Sequence, residues 1–324
     1  MKKIIQKKNA GKILFTPGPA SLSESNIKNL GPAFGRGDKF YSLTERNVLS
    51  KIKKISGHSK IIATQGSGST VLEMVSLNFL RGNILIVSTG YYSERLYNLS
   101  LFAKKSHKYI KKVTKVDWKN LDSVKNKYDW IWACYTETSC GFKLSIKELK
   151  KLSIRTKSKL AIDATASFGL ENNHNLADVV SFSSCKGLLG LTGAGFICYN
   201  LEPKNKVNSF VLSLDNAKNK KMTGPYHSIQ SLEIILKNYS QFKKSVIANK
   251  KKSLKTFKKY LIYPKKNQPL LCTYVECKIK GTSNKVILYK PRVKLSGSVI
   301  CHLGEAHLAG KAKGKILDYL RVDE

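Results

Sequence analysis

Short apolar runs alternate with amphipathic stretches along residues 60–200 of the chain. The runs at 61–64, 84–87, 130–133, 160–163, 179–182 and 195–199 are brief and almost uninterrupted by charge. That length and uniformity predict strands buried on both faces of a sheet. The segments between them carry the helical period, as in the stretch holding Leu96, Leu99 and Phe102. Ser145 with Glu148 forms a capping box that opens a helix running to about Thr156. Strands alternating with helices predict an α/β fold, a mostly parallel sheet covered on both faces. From Pro225 the pattern changes to long lysine-rich helices, then strands near 270–278, 286–289 and 299–303 and a final helix near 306–320. The chain divides into an N-terminal segment plus large domain over 1–228 and a smaller α+β domain over 229–324.

Composition alters this picture little. With 42% hydrophobic and 9% aromatic residues in 324, the chain can bury a full core. The net charge of +37 comes from 58 Lys and Arg against 21 Asp and Glu, a balance that ordinarily points to nucleic acid or an anionic membrane. Only seven of those bases are arginines, however, and the lysines fall in scattered doublets such as Lys104-Lys105 and Lys258-Lys259. The densest group, residues 249–252, reads as part of an exposed helix. A solvated lysine-rich surface explains the charge, and no nucleic-acid partner is expected. Seven cysteines without a CxxC spacing read as small buried thiols, so no metal site is expected. No run approaches the ~20 apolar residues of a membrane helix, and the basic N-terminus lacks an apolar core of signal-peptide length. The expectation is a reduced, cytoplasmic enzyme with no membrane partner.

The chemistry gathers at the strand ends. Asp163 closes one predicted strand, and Lys186 follows the next in Ser183-Ser184-Cys185-Lys186-Gly187. An acid at one strand tip and a lysine just past the next is what pyridoxal phosphate requires. The lysine holds the cofactor covalently, and the carboxylate keeps its pyridine nitrogen protonated. Gly66-Ser67-Gly68-Ser69-Thr70 lies between a strand and a helix start, where free amides and the helix dipole favour a phosphate; alone such a turn is usually just a cap. Gly90-Tyr91-Tyr92-Ser93 and Glu137-Thr138-Ser139-Cys140-Gly141 follow two further strands at the same carboxyl edge, where ligands of α/β sheets bind. It is their convergence that makes the set specific.

These segments resemble the class V, fold type I, pyridoxal phosphate aminotransferases, and among them the 2-aminoethylphosphonate–pyruvate transaminases. The resemblance opens with Phe15-Thr16-Pro17-Gly18-Pro19 and continues through Gln65-Gly66-Ser67-Gly68-Ser69, Asp163-Ala164-x-x-Ser167-Phe168-Gly169 and Thr223-Gly224-Pro225-Tyr226-His227. It implies a fold type I large domain with a smaller, here shortened, α+β C-terminal domain. It further implies that Ser67, Gly68 and Ser69 hold the cofactor phosphate, Tyr92 stacks on its ring, Thr138 meets its ring oxygen, Asp163 partners its nitrogen and Lys186 carries it. Thr223 matches a residue that reaches the phosphate of the partner subunit, so a homodimer is implied. The expected reaction transfers an amino group from 2-aminoethylphosphonate, or a similar small amine, to the 2-oxo acid pyruvate. Two departures stand out. Cys185 replaces the Asn or Gln that precedes the family lysine, and Val299 falls where the family has a substrate-binding arginine. Another amine donor, a lyase or decarboxylase reaction, or a cofactor-binding protein without turnover are the alternatives. If the substrate is acidic, Arg36 and Arg292 are the favoured cations, with Lys39 and Lys294 beside them.

Overall fold

The computed structural model describes residues 2–9, 11–19, 23–28, 30–35, 37–304 and 316–323. Its centre is a seven-stranded sheet made of β1 (Lys60–Gln65), β2 (Gly82–Ser88), β3 (Ile110–Asp117), β4 (Trp130–Cys134), β5 (Lys159–Asp163), β6 (Val179–Ser183) and β7 (Ala194–Tyr199), in the order β1-β7-β6-β5-β4-β2-β3. All pairings are parallel except those of β7, which runs against both β1 and β6. β4, β6 and β7 are buried at every position, as their unbroken apolar sequence requires. The lysine-studded β3 escaped the sequence reading because it is the edge strand and buries only Ile110 fully.

Helices cover both faces. Those that matter for the site are α1 (Lys39–Ser56), α2 (Gly68–Asn78), α3 (Tyr91–Ser106), α4 (Ile146–Arg155), α5 (Tyr226–Lys237) and α6 (Tyr239–Thr256). Ser145 accepts the Glu148 amide at the head of α4, the cap that the sequence announces. One core cluster joins the β-sheet to α1 and α5 through Val48, Ile52, Ile229 and Leu232, and a second lies under α2 and α3 around Met74, Val75 and Leu96. This is the α/β fold expected.

Beyond residue 225 the strands are short pairs: Cys272–Val275 with Ser298–Cys301, Ile279–Gly281 with Leu320–Val322, and Val286–Leu288 with Ile13–Phe15 from the N-terminal segment. Two expectations need correction. The final helix does not reach residue 320: residues 305–315 lie outside the described ones, Ile316–Tyr319 is a 3-10 turn and Leu320–Val322 a strand. Nor is the cluster at 249–252 wholly exposed. Asn249 and Lys250 lie on the inner face of α6, where the Lys250 amine meets Cys272 O at 2.7 Å, Thr273 Oγ1 at 2.7 Å and Gln268 Oε1 at 3.1 Å. Burial draws that amine's pKa down from its usual 10.5 to about 7. Helical periodicity sends neighbouring lysines in different directions, so a run of them is not all on one face.

Candidate active site

The carboxyl ends of β1, β2, β4, β5 and β6 open on one cavity of ≈ 400 Å³. Into it come Ser67, Gly68 and Ser69 after β1, Tyr92 after β2, Thr138 after β4, Asp163 at the tip of β5 and Lys186 after β6. Seven of the expected residues therefore share one space.

Local sequence explains each placement. Ser67 caps α2 by accepting the Thr70 amide, and Thr70 Oγ1 accepts the Ser67 amide in return. The amides of Gly68 and Ser69 begin the helix and have no intrahelical partner, at the positive end of its dipole. Gly68 also permits close packing, since a Cβ there would stand 3.1 Å from Thr165 Oγ1. Lys186 is fixed by the turn around it: Leu189 N donates to Lys186 O, Tyr239 Oη donates to Gly187 O, and Asn26 Nδ2 donates to Leu189 O. Its amine stands 5.1 Å from the centre of the Tyr92 ring. Gly18 closes the site from the N-terminal side. Its φ is +121°, and a Cβ would lie 2.8 Å from Cys185 O and 2.9 Å from Lys186 Cγ.

Asp163 is 5% exposed, and its Oδ1 accepts the Thr165 amide at 2.9 Å. Among the described residues it forms no ion pair. A buried carboxylate so placed is ready to accept from a cationic N–H. The hydroxyls of Thr136 and Thr165, both lining the cavity, are buried without a hydrogen-bond partner. Each such group costs about 1–3 kcal/mol unless a polar guest meets it. Burial raises the Tyr289 phenol far above its usual pKa, and the neighbouring Tyr92 adds to this, so it stays protonated as a donor. A primary amine, a buried carboxylate, a helix N-terminus, an aromatic face and unsatisfied hydroxyls together match the groups of pyridoxal phosphate.

Of the other residues singled out from the sequence, Arg292 and Cys185 also line this cavity, and Thr223, Lys39, Lys294 and Val299 do not. Thr223 lines a separate depression with Gly35, Gln65 and Gly193. Arg292 stands exposed on the rim of the cavity, and Arg36 lies outside the described residues. Lys39 and Lys294 are exposed and do not line the cavity. Val299 is 4% exposed and packs in the core opposite Tyr274, away from the lining. Cys185 does line the cavity, its Sγ 3.8 Å from Ser183 Oγ.

Several contributors were not foreseen. Arg95 lines the cavity and donates to Ser69 Oγ at 2.9 Å. Its place one turn after Tyr92 was the available signal. Glu137 is fully buried, and its carboxylate accepts the amides of Tyr92, Ser93 and Ser139 and the Ser139 hydroxyl. It thus caps α3 from another strand and sets the Tyr92 ring. Tyr289 and Lys290 arrive from the segment that follows the strand Val286–Leu288, and no local pattern announced them.

No family model matches the chain. It is 24% identical over 198 residues to a 2-aminoethylphosphonate–pyruvate transaminase of Pseudomonas aeruginosa, covering 57% of this chain and 53% of that one. It is 25% identical over 255 residues to that of Klebsiella pneumoniae, covering 71% and 70%. The chain spans about half the length of the first of these relatives. Among solved structures it is similar to ureidoglycine–glyoxylate aminotransferase from Bacillus subtilis, with a TM-score of 0.75 at 14% identity over 95% of this chain and 96% of that one. Alanine–glyoxylate aminotransferase from Nostoc gives 0.75 at 16% identity over 94% and 95%. The chain has the fold of these aminotransferases, fold type I, and the resemblance read from its motifs stands.

Proposed function

We propose that this chain is a pyridoxal phosphate-dependent aminotransferase of the class V kind, transferring the amino group of 2-aminoethylphosphonate, or a similar small amine, to pyruvate. The observation that carries this reading is the single cavity joining the Lys186 amine, the Asp163 carboxylate and the head of α2. The names of the relatives supply the donor and acceptor. Bound pyridoxal phosphate supplies an aldehyde carbon for amines and a protonated ring that draws electrons from the reacting carbon.

The residues then divide the work. Lys186 Nζ would hold the cofactor covalently and, when free, its amine would serve as the base that takes up and returns a proton in the cavity. Asp163 holds the proton on the ring nitrogen. The amides of Gly68 and Ser69 and the hydroxyls of Ser67 and Ser69 hold the phosphate. Tyr92 offers an aromatic face that would stack on the ring, and the Thr138 hydroxyl would serve its oxygen. Thr223, outside its own chain's cavity, serves the phosphate of a second copy in a homodimer. The absence of a cation at Val299 favours a second reading, a donor other than 2-aminoethylphosphonate.

Borohydride reduction of the cofactor-loaded protein should fix the cofactor on Lys186, as mapped by peptide mass spectrometry. The parent should also form alanine from pyruvate and the amine. A label on another lysine, or none in cofactor-saturated protein, would overturn the assignment.

A further inference from the structure

Two guanidiniums lie against one aromatic ring, that of Tyr91, at the mouth of the cavity. Arg95, from α3, lies with its Cζ 5.1 Å from the Tyr92 ring and 5.7 Å from the Tyr91 ring. Arg292, from the segment joining Leu288 to Ser298, lies with its Cζ 5.6 Å from the same Tyr91 ring. Both line the cavity, and Lys290 lines it beside them. Neither arginine forms an ion pair with a carboxylate among the described residues.

The Tyr91 phenol lies against both. Hydrogen bonding to Arg95, then to Arg292, draws the phenol's pKa below its usual 10. Both forks thus already act on the nearest group able to become an anion. Like charges gathered without a counter-charge repel, and two planar forks bind one oxyanion group far better than they bind a phenol. The two arginines come from different parts of the fold, one from the large domain and one from the C-terminal domain. A bound anion would therefore also tie the domains together over Lys186.

We infer that Arg95 and Arg292, meeting across Tyr91, form the recognition site for a dianionic group, phosphonate or phosphate, at the far end of the substrate amine. The inference rests on the aminotransferase reading and names the substrate class of that site. It supplies the cation that Val299 lacks. Two forks and a lysine exceed what a single carboxylate needs, so a dianion is preferred over a monoanion. Arg95 also holds Ser69, so it links the substrate anion to the phosphate loop.

The test uses cofactor-loaded, borohydride-reduced protein, in which the phosphate loop is filled. Titration calorimetry with methylphosphonate should show binding, and acetate should bind at least tenfold more weakly. Arg292→Gln should weaken methylphosphonate at least tenfold, and Arg292→Lys, which keeps the charge but not the fork, should recover only part of the loss. Arg292 is exposed and fills no core, so these variants keep the fold. Equal binding by the parent and Arg292→Gln, or equal affinity for acetate and methylphosphonate, would overturn the inference. If the label is on Lys186 while methylphosphonate does not bind, this site fails and the aminotransferase reading survives. If the label is elsewhere, the aminotransferase reading fails, whatever methylphosphonate does.

Discussion

Glu137 shows how a site residue depends on a neighbour that never enters the cavity. Its carboxylate gathers three backbone amides and the hydroxyls of Ser139 and Thr89 at the head of α3, and among the described residues it forms no ion pair. A glutamine keeps the shape but turns an NH2 toward amides that also donate, leaving at least one of them unsatisfied. Charge-assisted bonds of this kind contribute about 1.5–3 kcal/mol each, so Glu137→Gln should lower unfolding stability by about 2 kcal/mol in a urea titration. Because Tyr92 N is among those amides, cofactor affinity should fall as well. A variant with parental stability and parental cofactor affinity would show that α3 does not need this cap.

At the scale of elements, the segment of residues 13–19 supplies a wall of the site that the seven-stranded sheet and its helices do not themselves provide. Its strand Ile13–Phe15 pairs with Val286–Leu288, which brings Gly18 onto Lys186 and Tyr289 toward Tyr92. Gly18→Ala puts a Cβ against Cys185 O and Lys186 Cγ at a φ that L-residues rarely adopt. The expected cost is about 1–3 kcal/mol, read as a lower thermal midpoint, together with reduced cofactor loading measured by absorbance. Parental loading would mean that the segment can withdraw without harm. The inner sheet strands were legible because they are buried by their own sequence, as the unbroken runs of β4, β6 and β7 show, whereas the edge strand β3 was not. The residues at the tips of those strands were legible for the same reason: a strand end fixes where the next side chain goes. Tyr289 was not, because pairing across some 270 residues brings it in, whereas Arg95 could have been read from its place one helical turn after Tyr92. Lys250 misled because the sequence showed a run of charge and not the three acceptors waiting for it.

For the molecule as a whole, the proposed dimer sets an apolar contact against a net charge of +37 per chain. Thr223 does not line its own chain's cavity, and a depression it does line includes Ala33 and Gly35 beside the exposed Phe34. Phe40 and Leu43, at the start of α1, are 67% and 54% exposed, an arrangement that water disfavours and a second copy would relieve. Two such cationic bodies repel over a Debye length of about 30 Å at 0.01 M salt but only about 8 Å at 0.15 M. Added salt therefore removes most of the repulsion while leaving the apolar contact intact or stronger. Sedimentation velocity should show the dimer fraction rising between these two salt concentrations, with a matching gain in bound cofactor if Thr223 serves the partner's phosphate. A dimer that weakens as salt is added would mean that complementary charges hold the interface, and a cofactor-saturated monomer at every salt concentration would remove the partner's role altogether.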